Sequence, residues 1–419
     1  MKILYLAHRI PYPPNKGDKI RSFNEIRYLS ARHEIHLACL SDNKKDLDYQ
    51  KDLYKYCKTV KVVSIDQRVS KLKAAACLFT RMPLSIPYFY SRKLQRHIDT
   101  LLAARRFDVI FCFSSPMAEY ILNQSTNDLI NHSTKTIMDF CDVDSEKWLQ
   151  YSQQSEFPLN LIYRTENRRL LKFEKKINKS FDNSVFVSQQ EADLFYRLFP
   201  EAKNISVIGN GVDHEYFSPE SRTLNPELRQ LNKAQSSKLK TPCSATSPIL
   251  LFTGAMNYWA NVDGVLWFCE KILPIIKAGY PEVQFYIAGS DPKAEIQELE
   301  RNKGIKVTGF VEDIRPCYKA ADICVIPLRL ARGIQNKVLE AMSMGKAVVT
   351  TSNAVQSIMA TPGVHLLVED DVNKFAEAVS TLLGNHSLRN YLGENARQFV
   401  KSNYNWQKNM KKLENLLPC

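Results

Sequence analysis

Short apolar runs alternate with helix-like segments along most of the chain, and this rhythm limits the possible folds more than any other feature. An apolar strand at 2–7 precedes a loop, a segment with apolar residues at helical spacing (Ile20, Phe23, Ile26 and Leu29), and a second strand at 35–40. Right-handed crossovers place both strands in one parallel sheet. Further strands are predicted at 60–65, 109–113, 136–140 and 184–187. The first half is therefore predicted to be a doubly wound α/β domain.

The rhythm stops between Pro219 and Pro248 and then starts again. This interval is rich in Ser, Thr, Pro, Asn, Gln and Lys, which is typical of a linker or a surface excursion. The segments after it predict strands at 249–253, 283–288, 305–307, 323–327 and 347–350, helices at 261–276, 292–302, 314–320 and 336–344, and terminal helices at 372–383 and 387–417. Since 419 residues exceed a usual single core, two doubly wound domains are expected, at 1–218 and 249–386, with 219–248 between them.

The cysteines and the apolar segments indicate a cytoplasmic protein. The ten cysteines form no CxxC pair, and several lie inside apolar runs, so most are expected to be buried thiols in a reducing compartment. The apolar stretch at the N-terminus is too short for a signal peptide. No run of 18 apolar residues is present, which predicts that nothing spans a membrane.

The net charge of +13 is concentrated in two segments. Residues 68–106 contain nine Lys or Arg against one acid, and residues 164–179 contain seven against two. Aromatic and aliphatic residues interleave with the first cluster, which suits a surface that lies on anionic lipid headgroups. Two solvated helix faces would also account for the charge, whereas no nucleic-acid motif accompanies it. An anionic membrane surface is therefore an expected partner, and nucleic acid is not.

The segment from Arg332 to Val349 carries the clearest chemical signal. Asn336 is a plausible N-cap, and Gly345 a plausible stop, of a short helix. The free amides and the dipole at its start favour a phosphate, and Lys337 adds a full charge there. Glu340 follows one turn later and can accept hydrogen bonds from ribose or sugar hydroxyls. Glu340 could equally be a solvated helix residue.

This segment resembles the signature of glycosyltransferase family 4, the retaining "group 1" family. In that family two Glu residues, with seven residues between them, bracket a Gly-rich turn and open a helix that ends in EAM-x-x-G. The resemblance assigns the ribose contact to Glu340 and places the turn amides of Gly333, Ile334, Gln335 and Asn336 at the pyrophosphate. The first Glu is replaced by Arg332, which cannot accept hydrogen bonds but could bind diphosphate or an acidic sugar.

The resemblance extends over nearly the whole chain. Residues 208–213 resemble the element that ends the family's first domain, and Phe252–Asn257 resemble the first strand and turn of its donor domain. The latter match implies donor contacts from Gly254 and Asn257. The family's base-binding loop corresponds to Gly309, Phe310 and Val311. The Arg and Lys that often follow the first turn are missing, so the resemblance leaves the diphosphate charge mainly to Lys337, with Arg332 as a further candidate.

Two positions in the first domain complete the candidate site. Gly17 closes a strand-to-helix loop and lets backbone approach a phosphate, although a tight turn with Asp18 as N-cap is an alternative. The family's His–Asp pair corresponds to Cys141–Asp142, which makes Asp142 the candidate for positioning sugar or acceptor. Asp139 and Asp144 are rivals, and each could instead be an N-cap. The stretches RIPYPPNKGDKIRSF and ARGIQNKVLEAM resemble a subgroup found with bacterial exopolysaccharide and exosortase (PEP-CTERM) systems.

The family resemblance implies a GT-B protein, in which two Rossmann-like domains face each other across a cleft and helices at 387–419 cross back to the first domain. It implies a metal-independent, retaining hexosyltransferase with a nucleotide diphosphate sugar as co-substrate, no cofactor, and a glycan or polyprenyl-linked acceptor. The resemblance also implies that the protein lies on the inner face of the cytoplasmic membrane and acts in bacterial surface or exopolysaccharide synthesis. Alternatives are a nucleotide-sugar epimerase on the same fold and a non-catalytic sugar-nucleotide-binding subunit.

Overall fold

The computed structural model describes residues 1–14, 16–220, 247–331 and 333–418, which form two compact units. The first unit contains Met1–Gly209 and Gln407–Cys419, and the second contains Asn210–Trp406. Of the expected linker at 219–248, residues 221–246 lie outside the described part of the chain. Residues 210–218, expected in the first domain, belong to the second unit because Val212 N–H donates to the Tyr404 carbonyl and the Ser343 hydroxyl donates to the Phe217 carbonyl.

The first unit is built on a parallel sheet of seven strands in the order β3-β2-β1-β4-β5-β6-β7. Its strands are β1 (Lys2–Ala7), β2 (Glu34–Ser41), β3 (Thr59–Ser64), β4 (Val109–Phe113), β5 (Lys135–Cys141), β6 (Asn183–Phe186) and β7 (Ile205–Val207). Every residue of β4 is buried, and so is β1 after Lys2, because helices cover both faces of a parallel sheet. The strand order reverses between β1 and β4, so this pair is the topological switch point.

Helices of the first unit follow the strands as the crossover rule requires. The α-helices are Gly17–Leu29, Gln50–Leu53, Gln67–Ala76, Ser85–Phe89, Arg92–Ala104, Glu119–Leu122, Gln124–Asn127, Asp144–Gln154, Leu159–Ser180, Gln189–Leu198 and, from the far end of the chain, Trp406–Glu414. Short 3₁₀ turns are Lys44–Tyr49, Cys77–Phe79 and Ser115–Ala118.

The second unit repeats the architecture with six parallel strands in the order β10-β9-β8-β11-β12-β13. These strands are β8 (Ile249–Thr253), β9 (Gln284–Ala288), β10 (Ile305–Gly309), β11 (Ile323–Ile326), β12 (Ala347–Thr350) and β13 (Leu367–Val368). Its helices are Trp259–Trp267, the π-helical turn Phe268–Ile272, Leu273–Gly279, Ala294–Gln297, the 3₁₀ turn Glu298–Arg301, Arg315–Ala320, Asn336–Ser343, Ser352–Val355, Val372–Gly384 and His386–Asn403.

The two sheets confirm the predicted fold class, two doubly wound α/β units. Several element predictions were wrong in detail. The helix expected at 292–302 is a short helix that continues as a 3₁₀ turn, and the one expected at 387–417 is two helices separated at Tyr404 and Asn405. The terminal strands β7 and β13 were not predicted, because three and two residues are too short to show a period.

No helix among the described residues is both long and apolar enough to cross a membrane.

Candidate functional site

Two glycines let the turns after β8 and β9 pack against each other in the second unit. Gly254 and Gly289 have φ of +153° and +151°, values that side chains rarely allow. A Cβ on Gly289 would lie 1.7 Å from the Gly254 carbonyl oxygen. A Cβ on Gly254 would lie 2.7 Å from Asn261 Nδ2 and 3.1 Å from Lys337 Nζ. Gly254 thus leaves the space that these two side chains occupy.

Lys337 lies at this turn, held by contacts from the helix Trp259–Trp267 and from β8. Its Nζ donates a hydrogen bond to Asn261 Oδ1 at 2.5 Å and lies 4.4 Å from the centroid of the Phe252 ring. Asn261 Nδ2 in turn donates to the Ala255 carbonyl at 2.9 Å. Burial lowers the pKa of Lys337 to about 7, and the negative charge of Glu340 opposes this shift only in part. The ammonium is therefore desolvated and placed beside the end of β8.

Glu340 lies one turn beyond Lys337 and is oriented by a chain of hydroxyl groups. The Tyr318 hydroxyl donates to Glu340 Oε2 at 3.0 Å, and the same hydroxyl lies 2.8 Å from Thr253 Oγ1. Burial raises the pKa of Glu340, while the hydrogen bond from Tyr318 and the charge of Lys337 lower it. The sequence analysis assigned no role to Tyr318 and Thr253, because a Tyr in a short helix and a Thr at a strand end usually pack in cores.

The helix Asn336–Ser343 begins differently from the prediction. Gln335 is the N-cap residue and Asn336 is already helical, so the predicted N-cap role of Asn336 was wrong. Asn336 Oδ1 is buried and has no hydrogen-bond partner among the described residues. Gly333 precedes the helix with φ of +61°, and Gly345 ends it with φ of +65°, which confirms the predicted stop. Arg332 lies outside the described residues.

The remaining donor-site candidates of the second unit lie at neighbouring strand ends. Gly309 closes β10 with φ of +66°, and its N-terminal neighbours pair with β9. Phe310 is 62% exposed, and Val311 is half-buried. Asn257 is exposed and lies 3.4 Å from Asp291 Oδ2, so it pairs with Asp291 and not with the lysine. Gly254, Lys337 and Glu340 therefore form the compact part of the site, while the base loop and Asn257 lie at its edges.

In the first unit the loop after β5 carries the candidate Asp142. Cys141 has φ of +63°, and its N–H donates to Asp139 Oδ1 at 2.8 Å, which fixes a left-handed turn just before Asp142. Burial raises the pKa of Asp142 to about 7, helped by the charges of Glu191 and Asp144. Asp142 Oδ1 is buried and has no partner among the described residues. The N-cap of the following helix is Val143, so none of the three aspartates has that alternative role.

The helix Gly17–Leu29 does not begin with Asp18 as its N-cap, which was the alternative interpretation of this loop. Lys16 is the N-cap residue, and Gly17, which is exposed, is the first helical residue. Asp18 instead accepts a hydrogen bond from Arg9 Nη1 at 2.7 Å, and His8 Nε2 lies 3.3 Å from the same oxygen. His8 was missed at the sequence level, although its position directly after β1 could have identified it.

A buried ion cluster ties the strands of this first sheet together. Arg21 Nε lies 2.7 Å from Asp139 Oδ2 and 3.1 Å from Glu25 Oε1. The Tyr5 hydroxyl donates to Glu25 Oε2 at 2.5 Å, and Arg21 also donates to the Ile208 carbonyl. Burial raises the pKa of Glu25, and the charge of Asp139 adds to that rise. The cluster links β1, the helix Gly17–Leu29 and the strand that ends at Cys141.

Among the described residues, no three or more His, Cys, Asp or Glu side chains are arranged to hold a metal ion. The absence of a metal in the reaction stays a prediction.

Residues 247–385 match the family model for "Glycosyl transferases group 1". Most of the second unit is therefore similar to group 1 glycosyltransferases. The matched residues contain the whole compact site around Gly254, Lys337 and Glu340. The chain is 24% identical to an "Uncharacterized 44.6 kDa protein in cps region" of Klebsiella pneumoniae, over 97% of both chains.

A second relative of this chain is the "UDP-Gal:alpha-D-GlcNAc-diphosphoundecaprenol alpha-1,3-galactosyltransferase" of Escherichia coli. It is 27% identical over 52% of this chain and 55% of its own length. Among solved structures, the sucrose-phosphate synthase of Thermosynechococcus elongatus has a TM-score of 0.71 at 18% identity, covering 99% and 98% of the two chains. Anabaena HepE in complex with UDP-glucose has a TM-score of 0.67 at 15% identity, covering 100% and 99%. These structures show that the fold is that of GT-B glycosyltransferases.

Proposed function

We propose that this transferase moves a hexose, with retention of configuration, from a nucleotide diphosphate sugar to a glycan or polyprenyl-linked acceptor. The observation that supports this most directly is the ammonium of Lys337, desolvated and directed to the Gly254 turn by Asn261. The turn gives backbone access, the helix Asn336–Ser343 supplies amide dipoles, and the lysine supplies charge, which together suit a diphosphate. Glu340 then lies one turn away, where a ribose diol is a better partner for a carboxylate than a phosphate would be.

The proposed chemistry needs few reacting protein groups. The bond between the anomeric carbon and the diphosphate oxygen breaks, and the acceptor oxygen bonds to that carbon on the same face. The acceptor's hydroxyl proton passes to a phosphate oxygen of the leaving diphosphate. Negative charge grows on the diphosphate during this step, so its stabilisation by Lys337 and the helix amides, without a metal or a cofactor, is the main contribution of the protein.

The relatives support the proposed substrates. The galactosyltransferase of Escherichia coli is named for a UDP-sugar donor and a diphosphoundecaprenol acceptor, and the Klebsiella pneumoniae relative is named for a cps region. A role in bacterial surface or exopolysaccharide synthesis follows from the proposal. The subgroup found with exosortase systems stays a prediction.

The proposed function is tested by thermal melting with a panel of UDP-, GDP- and TDP-sugars, because a ligand that binds only the folded state raises the melting temperature. We expect one sugar nucleotide to stabilise the protein. We then expect that donor to be consumed faster with acceptor lipid than without it, equally in EDTA and in Mg²⁺. Consumption that is independent of acceptor would indicate an epimerase or hydrolase, and binding without turnover would indicate a sensor.

Glu340→Gln should weaken binding of that donor by roughly 1 to 3 kcal/mol, because a charge-assisted hydrogen bond to ribose becomes a neutral one. Isothermal titration calorimetry measures the change. Glu377→Gln, an exposed Glu of the same unit, is the matched control and should bind donor normally. Equal affinity of wild type and Glu340→Gln would remove Glu340 from the site.

We further propose that the first unit rests on the inner face of the cytoplasmic membrane. The helix Gln67–Ala76 is exposed over most of its length, with Leu72 70% exposed beside Arg68 and Lys71. Phe157, in the loop before the helix Leu159–Ser180, is 79% exposed. Exposed apolar residues interleaved with bases suit a surface of anionic headgroups, where bases contact phosphate and apolar groups enter the interface.

The same long helix holds both parts of this surface in place. Arg169 Nη2 donates to the Leu78 carbonyl at 2.8 Å, and Glu166 Oε2 accepts the Leu84 N–H at 2.6 Å. The turn after the exposed helix Gln67–Ala76 is thereby fixed to the helix that follows Phe157. These bonds hold the two segments in fixed positions relative to each other within the unit.

Reversing Arg92, Lys93 and Arg96 to Glu should reduce sedimentation with phosphatidylglycerol vesicles, because three exposed bases at the start of one helix become acids. Reversing Lys51, Lys55 and Lys58, which are also exposed in the first unit, is the matched control and should matter less. Activity on a short soluble acceptor should stay normal in both. Equal sedimentation of the two variants and wild type, at low and physiological salt, would contradict membrane binding.

A further inference from the structure

Three neighbouring strands of the first sheet end in buried polar atoms that have no hydrogen-bond partner among the described residues. These atoms are His8 Nδ1 after β1, Ser115 Oγ after β4, and Asp142 Oδ1 after β5. Since β4 pairs with both β1 and β5, the three ends are adjacent along one edge of the sheet. Buried polar atoms are nearly always paired in folded proteins, so a group of three at one edge requires an explanation.

The position of this edge points to a ligand. The strand order reverses between β1 and β4, and ligands of doubly wound sheets bind outside the carboxyl ends of the strands at such a switch point. Two non-glycine residues there have left-handed backbones, Ser114 with φ of +75° and Cys141 with φ of +63°. Such conformations cost energy and persist mainly where function requires them.

His8 is held so that one ring nitrogen contacts a carboxylate, while the other has no hydrogen-bond partner among the described residues. Its Nε2 lies 3.3 Å from Asp18 Oδ2, and the ring stacks on Phe113 and meets Phe89 edge-on. Burial opposes ionisation of Asp18, but the hydrogen bond from His8 and the charge of Arg9 hold the pKa of this carboxyl well below its usual range. An ionised Asp18 favours the tautomer with hydrogen on Nε2, which leaves Nδ1 as an acceptor.

We propose that His8 Nδ1 accepts a hydrogen bond from a hydroxyl group of a bound carbohydrate, in a subsite formed at the ends of β1, β4 and β5. Ser115 Oγ and Asp142 Oδ1 offer a donor and an acceptor for further hydroxyls. Nδ1 itself is buried, so the contact requires neighbouring side chains to move as the carbohydrate binds.

This inference rests on the proposed function, because a sugar hydroxyl can come from the acceptor or from the donor. Both sources present the same chemistry to Nδ1. The experiments therefore use octyl glycosides and the sugar nucleotide that stabilises the protein as separate probes.

A matched pair of variants separates the two ring nitrogens. In His8→Asn the amide oxygen takes the place of Nδ1 and contact with Asp18 is lost, whereas in His8→Gln the amide nitrogen replaces Nε2 and the acceptor at Nδ1 is lost. Both variants lose the ring contacts with Phe113 and Phe89. We expect His8→Gln to weaken binding of the responding probe about tenfold, the effect of one lost hydrogen bond, and His8→Asn to bind it more tightly than His8→Gln.

The direct measurement is the ¹⁵N resonance of His8 Nδ1 in histidine-labelled protein, assigned by its loss in His8→Gln. Without ligand, we expect Nδ1 to have the shift of a bare acceptor. Addition of an octyl glucoside, galactoside or mannoside, or of the sugar nucleotide, should move it toward the hydrogen-bonded position. A shift with the glycoside alone identifies the acceptor, and a shift with the sugar nucleotide identifies the donor sugar.

An unchanged Nδ1 resonance with every probe would overturn the inference, and so would equal affinities of His8→Asn and His8→Gln, since equal loss indicates a packing role alone. Failure of the proposed function has a different signature. In that case no sugar nucleotide stabilises wild type, whatever residue occupies position 8.

Discussion

Replacing Lys337 by Ala is expected to lower the turnover number on the order of a hundredfold or more, because its ammonium stabilises charge that grows on the leaving diphosphate. Donor affinity should fall less, since the ground state carries less charge at that oxygen. Single-turnover kinetics and calorimetry measure the two effects separately. Lys374→Ala, an exposed lysine of the same unit, is the control and should react normally.

The pKa of Lys337 also predicts how donor binding depends on pH. Its pKa is about 7 without ligand, and a bound diphosphate should raise it. Above about pH 7 the lysine is then neutral before binding and must take up a proton, so donor affinity should fall as the pH rises through this value. Calorimetry in buffers of different ionisation enthalpy measures the proton uptake, which Lys337→Met should abolish. Near-normal turnover of Lys337→Ala, together with an inactive Arg332→Ala, would assign the diphosphate to Arg332.

The second large effect is expected on stability. Arg21→Met should lower the free energy of unfolding of the first unit by about 3 to 5 kcal/mol, because it removes the cation that pairs with the buried carboxyl groups of Asp139 and Glu25. Urea unfolding, monitored through hydrogen exchange at the amides of β1 and β5, measures the loss of free energy. Arg27→Met, on an exposed position of the same helix, should leave the urea midpoint nearly unchanged.

A combined variant tests the cause of that loss. Asp139→Asn and Glu25→Gln replace the two buried carboxyl groups by neutral amides, so adding them to Arg21→Met should recover part of the lost free energy. If Arg21→Met and Arg27→Met unfold at equal urea concentrations, the buried cluster does not stabilise the unit as its geometry indicates.

The sequence was sufficient to predict the fold class because buried parallel strands are continuous apolar runs. Val109–Phe113 and Ile249–Thr253, for example, are buried at every position. The short strands β7 and β13 were missed because so few residues show no period. The start of the helix Asn336–Ser343 was misplaced by one residue. Asn is a good N-cap in general, but here Gln335 has that position, and Asn336 Oδ1 is buried with no partner in the part of the chain that the structure describes.

The candidate site was predictable only where a motif marks it. Lys337 and Glu340 belong to a recognisable segment, and the structure places both near Gly254. The groups that hold them, Asn261 and Tyr318, come from helices 76 and 22 residues away along the chain, and such long-range pairs leave no local pattern. His8 was missed although it directly follows β1, because the strand order that places β1 at the switch point cannot be determined from periodicity.

The membership of residues 407–419 in the first unit has a consequence for how the chain folds during synthesis. Met410 and Leu413 are fully buried, and Glu414 accepts hydrogen bonds from Arg32 and Tyr28. The ribosome makes these residues only after all of the second unit. Domains usually fold in the order of their synthesis, but here the unit that is started first must wait for its last helix while the later one can already be complete. A nascent chain stalled before residue 407 would therefore expose an unfinished first unit to chaperones.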